Sequence, residues 1–122
     1  MGWDLKSGRP IYFQLMEQIE LRIISGVYPP GGRLPSVRDM AMDASVNPNT
    51  MQRALAELEN EGLLYSQRTS GRFVTEDGGR IMEMKNKLAK TVIDEFMKHM
   101  TQLGYNRQQT ISLINQTEEE DN

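Results

Sequence analysis

The stretch "SVRDMAMDASVNPNTMQRALAELENEGLL" lays down one apolar pattern twice. Val37, Met40, Ala41 and Ala44 fall at i, i+3, i+4 and i+7, and Met51, Ala54, Leu55 and Leu58 repeat those intervals. Such spacing puts apolar side chains on one face of an α-helix. Ser36 and Asn47 stand where N-caps belong, Asp39 sits as in a capping box, and Pro48 suits a first helical position. Only "SVN" separates the two patterns. Two short helices with apolar stripes and so brief a joint are expected to fold against each other as a helix-turn-helix.

The flanks extend this unit. Pro10 opens an earlier helical pattern of Ile11, Leu15, Ile19 and Ile23, with Tyr12 and Met16 alongside, and Gly26 and "YPPGG" end it. Beyond Gly62, residues 64–68 and 72–75 read as strands joined by Thr69, Ser70 and Gly71. A hairpin directly after a helix-turn-helix is a wing. "TEDGGR" then breaks the pattern. A long helix is predicted from about Arg80 to Leu103, striped by Ile81, Leu88, Val92, Phe96, Met100 and Leu103. Gly104 stops it, Asn106 caps a last helix carrying Ile111 and Ile114, and "TEEEDN" reads as a solvated, frayed tail. The expected fold is mainly α with a small β-wing. A winged helix-turn-helix domain occupies residues 1–76, and a two-helix C-terminal region occupies residues 77–122.

Composition narrows the chemistry. The chain has 122 residues, 38% hydrophobic and 25% charged, which fits one small domain with an appendage. Without Cys there is no thiol nucleophile and no Cys-based zinc site. His99 is the only His and has no companion ligands, so no metal is expected. The methionines of the long helix read as packing rather than a ligand box, and Trp3 is expected to pack against the domain. No nucleophile–base pair, phosphate loop or carboxylate pair appears, so neither an enzyme nor a cofactor is expected. No apolar run approaches the ~18 residues of a membrane span. "MGWDLKSGRP" lacks a signal-peptide core, so a cytoplasmic protein without a membrane partner is expected.

A net charge of −3 does not decide against nucleic acid, because the placement of cations matters more. Residues 33–75 hold five Arg, five acids and no Lys. Arg favours forked contacts to phosphates and guanine edges. On the helix opened by Pro48, Asn49 and Arg53 point away from the apolar face, with Thr50 and Gln52 on its flanks. Asn and Gln can pair with adenine and Arg with guanine. The helix front also attracts phosphate, while Glu57, Glu59 and Glu61 lie at the far end. Taken alone, an ordinary solvated face explains this helix about as well. Arg38, in the first turn of the preceding helix, either meets phosphate or pairs with Asp39 or Asp43. Arg68, Thr69, Ser70, Gly71 and Arg72 make a basic wing tip suited to DNA backbone or minor groove. The succession of helix, helix-turn-helix and wing outweighs any single residue. The candidate DNA-binding set is Arg33, Ser36, Arg38, Asn47, Asn49, Thr50, Gln52, Arg53, Arg68, Thr69, Ser70, Gly71 and Arg72. The alternative is a winged-helix module that binds protein and no specific DNA.

"PIYFQLMEQIELRIISGVYPPGGRLPSVRDMA" and "VNPNTMQRALAELENEGLLYSQRTSGRFV", with their "LPSVR" and "VNPNT" elements, resemble the DNA-binding domain of GntR-family bacterial transcription regulators. The short helical remainder is similar to the YtrA subfamily. The resemblance implies a winged helix-turn-helix homodimer binding double-stranded DNA at an inverted repeat. It also implies a repressor in most cases, often of transporter genes. Carried over by position, DNA contacts come from Arg38, residues 47–53 and the wing around Gly71. Pro48 stands where many family members have a basic residue, and Thr69 replaces the first Gly of a Gly-x-Gly wing. The stripe of Ile81, Leu88, Val92, Phe96, Met100 and Leu103 is broader than one short helix covers, so a second copy is expected on it. Two helices leave little room for a private effector pocket of the usual ~300–1,000 Å³.

Overall fold

The computed structural model describes residues 2–121. Its elements are α1 (Ile11–Ile24), α2 (Val37–Ala44), α3 (Pro48–Asn60), β1 (Leu64–Gln67), β2 (Gly71–Val74), α4 (Gly78–Gln102) and α5 (Arg107–Asp121). The protein is mostly helical with a two-stranded antiparallel sheet. It divides into two compact units, Met1–Met84 and Lys85–Asn122.

In the first unit, α1 and α2 both pack on α3. Leu15, Ile19 and Ile23 of α1 meet the stripes read from the sequence, Met40, Ala41 and Ala44 on α2 and Met51, Ala54, Leu55 and Leu58 on α3. Of the α2 and α3 stripe residues only Val37 is half-buried, whereas Ile11 and Tyr12, at the start of the α1 pattern, are exposed and half-buried respectively. Leu63, Leu64 and Val74 bring the wing base into the same core, and Met84 of α4 joins it. A fully buried Leu contributes ~1.5–3 kcal/mol.

The turn of the helix-turn-helix is closed by backbone geometry. Ser45 takes a left-handed conformation, φ 57° and ψ 45°. Its successor Val46 donates its N–H to the Ala41 carbonyl at 2.9 Å, which satisfies the end of α2. Asn47 Oδ1 then accepts from the Asn49 N–H at 2.7 Å, and Ser36 Oγ accepts from the Asp39 N–H at 3.1 Å. Both caps fall where the sequence puts them.

Three features were not legible in the sequence. Residues 31–34 run antiparallel beside β2: Arg33 bridges Phe73, Leu34 donates to the Arg72 carbonyl, and Val74 donates to the Gly32 carbonyl. The segment ahead of α1 is tied down by the buried Gln14 amide. Its Nε2 donates to the Lys6 and Arg9 carbonyls at 2.7 and 3.0 Å, and its Oε1 accepts from the Lys6 N–H. Finally, Arg80 in the first turn of α4 donates to the Glu61 carbonyl at 2.9 Å and lies against Gly62, where a Cβ would come within 2.6 Å of it. Trp3 does pack on the domain: its indole N–H donates to Asp43 at 2.9 Å, and the Arg22 guanidinium stacks 3.8 Å from its ring centre.

In the second unit, Asn106 and Gln109 cap α5 reciprocally. Asn106 Oδ1 accepts from the Gln109 N–H at 2.8 Å, and Gln109 Oε1 accepts from the Asn106 N–H at 2.9 Å. The helix runs on to Asp121 where the sequence suggested a frayed tail, and Asn122 lies outside the described residues. Val92, Ile93 and Phe96 of α4, then Leu103, Tyr105, Ile111 and Ile114, are exposed within the single chain.

Candidate nucleic-acid interface

α3 is held from two directions. Toward the wing, Glu59 Oε1 receives the Ser66 hydroxyl and, at 3.3 Å, Arg72 Nε. Toward α1, the Arg53 guanidinium lies 3.7 Å from the centre of the Tyr12 ring. At ~100° per residue these two side chains leave the helix about 120° apart. Between them on the outward arc fall Gln52, Ala56 and Asn49, with Gln52 and Asn49 exposed. Thr50 is half-buried on the other flank, and the exposed Asn47 is occupied as the cap. The amides of Asn49 and Gln52, which make no side-chain hydrogen bond among the described residues, therefore stand toward the front of a helix whose N-terminus favours anions.

The wing follows from strand alternation. Leu64 pairs with Val74 and Ser66 with Arg72, which places these four on the α3 side; Tyr65 and Phe73 stack on the opposite face, ring centres 5.6 Å apart. The Arg72 side chain is accordingly 16% exposed and ion-paired, unlike Arg68 at the exposed tip. The same alternation could have identified Arg72 as inward-facing from the sequence.

Between the wing and the start of α2 lies an open cleft of about 500 Å³ whose lining includes Arg33, Ser36, Arg68, Thr69, Gly71 and Arg72 and no acid. Arg33 crosses it onto Gly71, whose φ is 105°; a Cβ there would lie 3.1 Å from Arg33 Nε. Ser70 is half-buried at the turn. Arg38 is exposed on α2, and among the described residues it has no hydrogen bond or ion pair. Asp43, one of the two acids that could have neutralised it, accepts from Trp3 instead. The structure thus gathers Arg33, Ser36, Arg68, Thr69, Gly71 and Arg72 at the cleft, and Asn49, Thr50, Gln52 and Arg53 on α3 behind its cap Asn47. Near the Trp3 contact, burial pushes the Tyr28 phenol above its usual pKa; Arg22 opposes the shift and Asp43 adds to it.

Among the described residues there is no cluster of His, Asp and Glu able to hold a metal, and no helix long and apolar enough to cross a membrane. Of the apolar stripe predicted for residues 81–103, Ile81 is half-buried in the first unit. In the second, Leu88 and Met100 are half-buried while Val92, Phe96 and Leu103 are exposed.

Residues 11–74 match the bacterial regulatory proteins of the gntR family. The chain belongs to that family. It is 38% identical over 114 residues to the uncharacterized HTH-type transcriptional regulator YhcF of Bacillus subtilis, covering 93% of this chain and 94% of the relative. It is 35% identical to the HTH-type transcriptional repressor YtrA of the same organism, covering 75% of each. A GntR family transcriptional regulator from Listeria monocytogenes superposes with a TM-score of 0.83 at 38% identity, covering 92% of this chain and 98% of that one. The AraR DNA-binding domain solved with operator ORR3 matches at a TM-score of 0.51 and 28% identity, over 62% of this chain and 93% of that one. This GntR-family chain is therefore a transcriptional regulator with YtrA-type relatives, and not an enzyme.

Proposed function

We propose that this GntR-family regulator is a cytoplasmic repressor that binds double-stranded DNA as a homodimer at an inverted repeat. The observation that carries the reading is the exposed Asn49–Gln52 face of α3, set between Arg53 and an acid-free, arginine-lined wing cleft. Asn49 and Gln52 meet base edges in the major groove. Arg33, Arg38 and Arg68 meet phosphates, with Arg38 at the front of α2 and the other two in the cleft. The AraR domain's operator complex supports this use of the shared fold.

Residues 1–76 form the DNA-binding module in this reading, and residues 77–122 the dimerising region. A second copy covers Val92, Phe96 and Leu103, which a lone chain leaves exposed. Two recognition helices then meet half-sites about one helical turn apart, ~34–36 Å. By its resemblance to the YtrA subfamily, the chain governs transporter genes. Any effector sits between copies rather than inside one.

The test is a gel shift with the DNA upstream of the chain's own gene at two salt concentrations. Binding that exceeds random duplex and weakens with salt is expected. Equal binding to both duplexes would point to a module without specific DNA recognition.

A further inference from the structure

We propose that Tyr12 is a positioning residue for DNA binding: its ring holds the Arg53 guanidinium flat at the rim of the α3 face, where it clamps a backbone phosphate beside the half-site. This rests on the DNA-binding reading above. Tyr12 lies in the first turn of α1 and is only half-buried, whereas Leu15, Ile19 and Ile23 supply that helix's core. Phe13 buttresses it at 4.7 Å between ring centres. Above this ring, Arg53 is exposed and makes no hydrogen bond or ion pair among the described residues. Glu57, one turn further along α3, is the usual kind of partner for such an Arg, yet no bond joins them. Arg72 shows the contrast, since Glu59 already neutralises it.

Stacking fixes the plane of a guanidinium while leaving the N–H groups at its edge available. A long side chain otherwise loses rotamer freedom when it docks, so a pre-ordered fork binds a pair of acceptor oxygens at lower entropic cost. The stack also draws Arg53 toward α1, to the edge of the arc that holds Asn49 and Gln52. Base edges lie before that arc, and the sugar–phosphate backbone lies at its rim.

The experiment uses the full-length chain and a duplex that the wild type selects from a randomised pool, titrated at several salt concentrations. Arg53→Ala should weaken binding and lower the salt slope by about one unit for each half-site. Tyr12→Leu should weaken binding about two- to fivefold while the slope stays, and Tyr12→Phe should bind as wild type. In the Arg53→Ala background, Tyr12→Leu should have no further effect. An equal loss with and without Arg53 would overturn the proposal, as would loss in Tyr12→Phe, which would make the hydroxyl itself the contact. Should thermal unfolding show that Tyr12→Leu does not fold, the surface change Arg53→Lys decides: undiminished affinity would overturn the proposal, and weaker binding at an unchanged slope would support it. A pool that yields no selected duplex defeats the DNA-binding reading and this proposal with it, whereas additive losses on a selected duplex defeat this proposal alone.

Discussion

Gly71 is constrained twice, by a φ of 105° that disfavours any Cβ and by the Arg33 guanidinium lying against it. Gly71→Val should strain the wing by roughly 1–3 kcal/mol and displace Arg33. Operator affinity should fall while the base preference of α3 persists; a changed consensus in a binding-site selection would show that the wing reads bases. Arg38 and Arg68, both exposed and without ion pairs among the described residues, should behave differently from Arg72. Arg38→Ala or Arg68→Ala should lower the salt slope by about one for each phosphate left without its cation, for operator and random duplex alike. Arg72→Ala should act mainly through stability, because it leaves Glu59 without its own cation. Tyr28 gives a pH prediction. Its phenol holds its proton more tightly when folded, so its contribution to stability is complete below the unfolded pKa of ~10 and fades as pH rises through the higher folded value. Melting temperature should therefore drop less above pH ~10 in Tyr28→Phe than in wild type. Individual site residues were partly legible in the sequence. Helical periodicity placed Asn49 and Arg53 outward and Gln52 on a flank, but it could not show Arg53 lying on Tyr12, because that contact joins two helices.

The turn between α2 and α3 rests on Ser45, a non-glycine residue in the left-handed region. Such a conformation costs an L-residue roughly 1–2 kcal/mol. Ser45→Gly should leave stability unchanged or raise it, and Ser45→Val should lower it by at least ~1 kcal/mol, read by urea denaturation. A Val variant as stable as wild type would mean that the turn adopts another geometry. Most elements could be drawn from the sequence, because caps and apolar intervals mark helices locally. Residues 31–34 could not: "GGRL" has no alternation of its own and becomes sheet-like only by pairing with β2. The strapped segment before α1 was hidden for the same reason, since Gln14 reads as an ordinary helix residue until its amide meets Lys6 and Arg9.

At the scale of the whole molecule, the exposed Val92, Phe96 and Leu103 argue for a second copy. A chain ending at Met84 keeps that buried side chain and the Arg80–Glu61 contact, so it should fold. It should sediment as a monomer and bind a full operator far more weakly, and an undiminished dimer would place the interface in the first unit. In the proposed homodimer, two copies of the α3 face read DNA together. The direct measurement is selection from a randomised duplex pool by the full-length chain and by an Asn49→Ala, Gln52→Ala variant. The wild type should return an inverted repeat with half-sites about one helical turn apart, and the variant should retain salt-dependent binding but lose base preference at those positions. No enriched sequence with the wild type, or the same repeat from both proteins, would contradict the account.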